Sequence, residues 1–64
     1  DAMISTSTDD LRSSMECALR HDPAGTLTQA SQGLIAMTGR DGMASKRNVL
    51  ATIIRKATKQ LCDT

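Results

Sequence analysis

No phenylalanine, tyrosine or tryptophan occurs among the 64 residues of this chain. That absence removes the side chains on which single-stranded nucleic acids stack their bases. It also leaves the core of what is at most one domain to aliphatic residues and methionine. A domain this short buries only about 60% of the surface its unfolded chain exposes, so that core is thin. A deep substrate cavity would thin it further, and we expect no enzyme, no catalytic residue and no cofactor. Cysteine is scarce too. Cys17 and Cys62 are too few for a disulfide scaffold. They read as ordinary thiols of a reducing intracellular compartment, with a single long-range bridge as the alternative. Long apolar runs are missing: the longest, Leu34 to Met37, falls far short of the roughly 18 residues of a membrane helix. Nothing resembles a signal peptide, and no membrane partner is expected. The chain begins with Asp1 rather than Met, from which we expect a fragment of a larger protein.

What is present is helical punctuation. Residues 1–7 are rich in Ser and Thr and are expected to be a flexible lead-in, irregular or extended. Ser7 followed by Asp10 is a near capping box, and Asp9 and Asp10 suit a helix N-terminus. Leu11, Met15, Ala18 and Leu19 then share one helical face. Arg20 and His21 fall in the last turn, and Pro23 closes the element by restricting Asp22. Thr26-Leu27-Thr28-Gln29 reads as a second capping box, with Leu27, Ala30, Leu34, Ile35 and Met37 as the apolar side of the helix it opens. Gly33 inside that helix points to the close approach of another backbone or to a weak helix. Gly39 suits the position just past its end. After the turn Gly39-Arg40-Asp41-Gly42, a third helix is expected, capped by Ser45 or starting near Met43 and running to about Leu61. Its apolar residues Val49, Leu50, Ile53, Ile54, Ala57 and Leu61 fall within an arc of roughly 140°. The expected fold is therefore all-α, a small bundle of three helices over about 8–21, 26–38 and 44–61, forming a single domain over 8–64.

Charge is distributed unevenly. Residues 1–32 hold five acids and two bases, whereas residues 33–64 hold six bases and two acids. The molecule is thus polarised along its sequence, negative first and positive last. Arg47, Arg55, Lys56 and Lys59 fall away from the apolar arc of the third helix. A solvated face is one account of them. The added charge of Arg40 and Lys46 and the scarcity of nearby acids favour a surface that docks to acidic protein segments.

Other constellations are weaker. Cys17 and His21 share a helix face and could pair as nucleophile and base, but no orienting group or oxyanion site accompanies them. With Cys62 they supply three zinc ligands where a structural site takes four, so no metal is expected. The turn before Lys46 departs from the phosphate-loop spacing, since only two residues separate Gly39 from Gly42. Residues 26–50 invite comparison with a helix-turn-helix. Ile35 and Ser45, however, stand where that unit takes a small and an apolar residue.

The sequence from the Gly/Asp turn through Met43-Ala44-Ser45-Lys46, Val49-Leu50 and Arg55-Lys56 resembles the end of vesiculovirus phosphoproteins. There a Gly-Asp-Gly turn precedes a lysine-rich Met-x-x-Lys-x-x-aliphatic-Leu helix. The resemblance covers mainly residues 39–61. It implies the C-terminal domain of a rhabdovirus phosphoprotein, a small helical module that binds the nucleoprotein–RNA template and tethers the RNA-dependent RNA polymerase to it. Lys46 and Lys56 match basic positions of that motif. Arg40, Arg47, Arg55 and Lys59 extend the patch on this chain's own evidence. The partners so implied are acidic segments of the nucleoprotein bound to RNA, with the polymerase held by other parts of the parent protein and no direct nucleic-acid contact. The implied location is host cytoplasm and virion. The chain departs from the family in having no tyrosine in this helix and no basic tail. A nucleic-acid-binding helical domain and a structural or oligomerising fragment are the alternatives.

Overall fold

The computed structural model describes residues 2–63. Among them it contains four helices, α1 (Ala2–Ser5), α2 (Thr8–His21), α3 (Pro23–Met37) and α4 (Ala44–Cys62), and no strand. The three long helices form the expected all-α bundle. Ser7 caps α2 as its sequence predicts, its hydroxyl accepting from the Asp10 N–H at 3.2 Å. Leu11, Met15 and Leu19 then recur one turn apart and are all buried.

The boundary between α2 and α3 differs from expectation. Pro23 does end α2, but it also occupies the first turn of α3, where its missing N–H has no partner to lose. Asp22 alone forms the joint. Its N–H donates to the Ala18 carbonyl at 2.8 Å, and its side chain caps α3 by accepting from the Gly25 N–H at 3.0 Å. The helix therefore begins three residues before Thr26, and the expected capping box at 26–29 does not form. Thr26 instead sits inside α3 with only 2% of its surface exposed. Its hydroxyl makes no hydrogen bond among the described residues.

Past Met37 the chain turns as expected. Gly39 has φ +80°, a conformation that costs a glycine little, and the Arg40 N–H returns to the Met37 carbonyl at 3.1 Å. α4 then starts at Ala44 with no side-chain cap.

The lead-in expected over residues 1–7 is helical at 2–5, with Asp1 lying outside the described residues. Met3 and Ile4 pack partly buried against the core, and apolar burial accounts for an element too short to be stable alone. Gly33 makes room for it. A Cβ there would lie 2.5 Å from Met3 Sδ and 3.1 Å from Leu50 Cδ1. The close approach inferred from this glycine is real, but side chains make it, not a second backbone.

The core consists of Leu11, Met15 and Leu19 of α2, Ala30 and Met37 of α3, and Val49, Leu50, Ile53 and Ala57 of α4. α4 is its spine, packing on both α3 and α2. Two residues expected on apolar faces lie outside it: Ile35 is 74% exposed and Leu61 40%. Cys17 is exposed as well, as is Cys62, and both are free thiols.

Candidate functional site

The six basic residues singled out by sequence lie on α4 and the turn before it, but they are not one patch. At about 100° per residue, Arg55 and Lys59 stand roughly 40° apart on the outer face of α4, whereas Arg47 and Lys56 stand roughly 180° apart on opposite flanks. Arg40 is exposed in the turn, and Arg47 is partly buried. Lys46 belongs to a third direction. In the first turn of α4 its ammonium donates to the Ile4 carbonyl, tying α1 to the bundle. Lys56 faces α2 and pairs with Glu16 at 2.6 Å.

Two of the six cations are thus held by the domain's own groups. The side chains of Arg40, Arg47, Arg55 and Lys59 make no hydrogen bond or ion pair among the described residues. Among the described residues Arg12 also forms an ion pair, 3.3 Å from Asp9 on the same helix. The hydrogen bond from Lys56 holds the Glu16 carboxyl below its ordinary value, against a partial desolvation that raises it. The charges of Lys56, Arg20 and Arg12 help to lower it.

Between α2 and α4 runs a groove of about 320 Å³ that sequence reasoning missed. From α2 come Arg12 and Glu16. From α4 come Ser45, Asn48, Thr52 and Lys56 along one wall, with Val49 and Ile53 beneath. The spacing of Ser45, Asn48, Thr52 and Lys56 at three and four residues was visible in the sequence. It reads there as a solvated helix face, because the helix that faces it lies some 40 positions away.

Cys17, His21 and Cys62 form no metal-competent group, and no cluster of three or more His, Cys, Asp or Glu occurs among the described residues. No described helix is long and apolar enough to cross a membrane. No protein-family model matches the chain, and neither a curated protein nor a solved structure is significantly similar to it.

Proposed function

We propose that the chain is a non-enzymatic docking module whose basic α4 surface binds acidic segments of a protein partner. The observation that carries this reading is the state of Arg55 and Lys59. They lie one turn apart and exposed on a helix whose opposite face carries the buried Val49, Leu50, Ile53 and Ala57, and their side chains pair with nothing among the described residues. Arg40 and Arg47 add charge near the start of the same helix, and Lys59 also suits the negative end of its dipole. Cations with no acid to neutralise them steer and orient an acidic partner rather than stabilise the fold.

The resemblance of residues 39–61 to the end of vesiculovirus phosphoproteins supplies the partner class. In this reading the module is the C-terminal domain of a rhabdovirus phosphoprotein, bound to nucleoprotein on its RNA in host cytoplasm and virion. It would tether the polymerase through other parts of its parent protein. The test is Arg55→Glu combined with Lys59→Glu. Binding to a nucleoprotein–RNA complex should be abolished at physiological salt while the helical circular dichroism is unchanged. Retained binding overturns the reading. Equal affinity for naked RNA, with a salt slope set by several phosphate contacts, would point to the nucleic-acid alternative instead.

A further inference from the structure

We propose that two copies of the chain pair through the outer face of α3, antiparallel and two-fold symmetric about Ser31. The product is a weak, reversible dimer that keeps both basic α4 faces uncovered. The inference stands on α3 and its two ends, and it holds whatever α4 binds.

The face is set apart by charge. Residues 23–39 contain no Asp, Glu, Lys, Arg or His, while the rest of the chain carries all eight bases and all seven acids. α3 therefore turns an uncharged side to solvent on an otherwise charged molecule. Ile35 stands on that side, 74% exposed, with Thr28 exposed two turns before it. Leu27 and Leu34 border it, partly buried against the core. From Leu34 round to Thr28 the face spans roughly 120° of the helix, centred on Ser31. Gly33, over which Met3 packs, lies about 160° away from Ser31.

A symmetric pair requires a face that complements itself. A two-fold axis at Ser31 sets Ile35 opposite Leu27 of the second copy, and Leu34 opposite Thr28. Ser31 meets its own counterpart, a small side chain that lets the helix axes approach to the near end of the usual 8–10 Å. The ends decide the direction. The charges that bound the neutral stretch are Asp22 and Arg40, opposite in sign and both exposed. The same axis brings the Asp22 end of each copy to the Arg40 end of the other, so the dimer gains two opposite-charge contacts. Asp22 gives one carboxylate oxygen to the Gly25 N–H, which leaves the other for Arg40. A parallel pair would set Asp22 on Asp22 and Arg40 on Arg40. Pairing through α4 would press Arg55 and Lys59 onto their own copies, again like charge on like.

Area sets the strength. A stable interface takes about 800 Å² from each partner, about a fifth of the 4146 Å² surface of this domain. α3 has 15 residues and is about 22 Å long, and one stripe of such a helix supplies roughly half that area. The dissociation constant is therefore on the order of 10⁻⁴ M. At the micromolar concentrations of unfolding experiments the chain is monomeric. Where it is concentrated, two joined basic faces bind a partner with repeated acidic segments more tightly than one.

Sedimentation equilibrium of the 64-residue chain tests the pair. The mean mass should rise from 6.8 kDa toward twice that value between about 10 μM and 1 mM. Ile35→Lys places a charge against an aliphatic side chain and should weaken association by roughly tenfold or more. Arg40→Glu should weaken it as well, whereas Arg55→Glu with Lys59→Glu should leave it unchanged. A second measurement fixes the register. With Cys17 and Cys62 replaced by serine, Ser31→Cys stands on the two-fold axis and should form a covalent dimer with oxidised glutathione as oxidant. Gln29→Cys, exposed but about 160° around the helix from Ser31, should not. A mass that stays constant up to about 1 mM, association unmoved by Ile35→Lys, or Gln29→Cys crosslinking as readily as Ser31→Cys each overturns the pair. Those outcomes leave the docking function of α4 standing, and loss of partner binding in the Arg55→Glu, Lys59→Glu variant leaves the dimer standing.

Discussion

Lys56 Nζ lies 2.6 Å from Glu16 Oε1, a contact across 40 positions that joins the acidic first half of the chain to the basic second half. It makes the charge polarity of the sequence partly intramolecular, since one of the α4 cations is neutralised by α2. The pair also leaves a titration signature. Because the Lys56 hydrogen bond lowers the Glu16 value, the stabilisation it brings is present above the unfolded-state value and is lost as pH falls through the lower folded-state value. An NMR titration of the Glu16 side chain should therefore show a midpoint below that of a free glutamate. In Lys56→Met the midpoint should move up. An ordinary Glu16 midpoint in the native chain would show that the pair does not persist in solution.

The cap of α3 is Asp22 and not Thr26, the residue that spacing suggests. If Thr26 were the helix cap, losing its hydroxyl would destabilise the domain. With Asp22 as cap, Asp22→Ala should cost about 1 kcal/mol. Thr26→Val should be neutral or stabilising, because a buried hydroxyl without a partner costs on the order of 1–3 kcal/mol and valine keeps its shape. Thermal unfolding of the two variants decides the matter. A Thr26→Val melting point well below that of the parent chain would restore Thr26 to a hydrogen-bonding role.

How much of this was legible in sequence depends on whether a signal was local. Ser7 with Asp10, the Leu11–Met15–Leu19 spacing, Gly39 beyond α3 and the apolar arc of α4 are each complete within a few residues. All of them held except Leu61, which is 40% exposed near the end of α4. Pro23 misled because it carries two local meanings at once, terminator of α2 and first residue of α3. Ile35 misled by adjacency: it follows Leu34 but points roughly 100° away from it. α1 is too short to show a period at all. The basic residues of α4 were all visible, but Lys46 on Ile4 and Lys56 on Glu16 are contacts across 42 and 40 positions. Only the packed structure shows which cations are already held. The groove was invisible for the same reason, since its two walls come from different helices.

Ile35 and Met37 stand two positions apart in sequence and are opposites in the fold, one 74% exposed and the other fully buried. Met37→Ala should cost about 2–5 kcal/mol, the usual range for emptying a core site. In a core this thin that is enough to unfold much of the population at room temperature. Ile35→Lys should leave stability within about 0.5 kcal/mol of the parent. Urea unfolding of the two variants measures both. A large loss in Ile35→Lys would mean that this side chain is covered in solution, as in self-association, which light scattering of the parent chain would then detect.

The docking of α1 rests on the side chain of Met3 over Gly33 and on Lys46 bonding the Ile4 carbonyl. Gly33→Ala sets two effects against each other. Alanine raises helix propensity by up to about 1 kcal/mol, yet its methyl would lie 2.5 Å from Met3 Sδ and 3.1 Å from Leu50 Cδ1. Met3 is the flexible end and should yield first, while Leu50, fully buried, can give only a little. The expected outcome is a small change in melting temperature with a displaced Met3 methyl resonance and weaker amide protection after Ile4. Lys46→Met should release α1 in the same way without altering Met3's fit to Gly33, and it should leave binding by Arg55 and Lys59 intact. Were Lys46→Met to abolish partner binding while α1 stayed protected, Lys46 would belong to the docking surface and not to the α1 anchor.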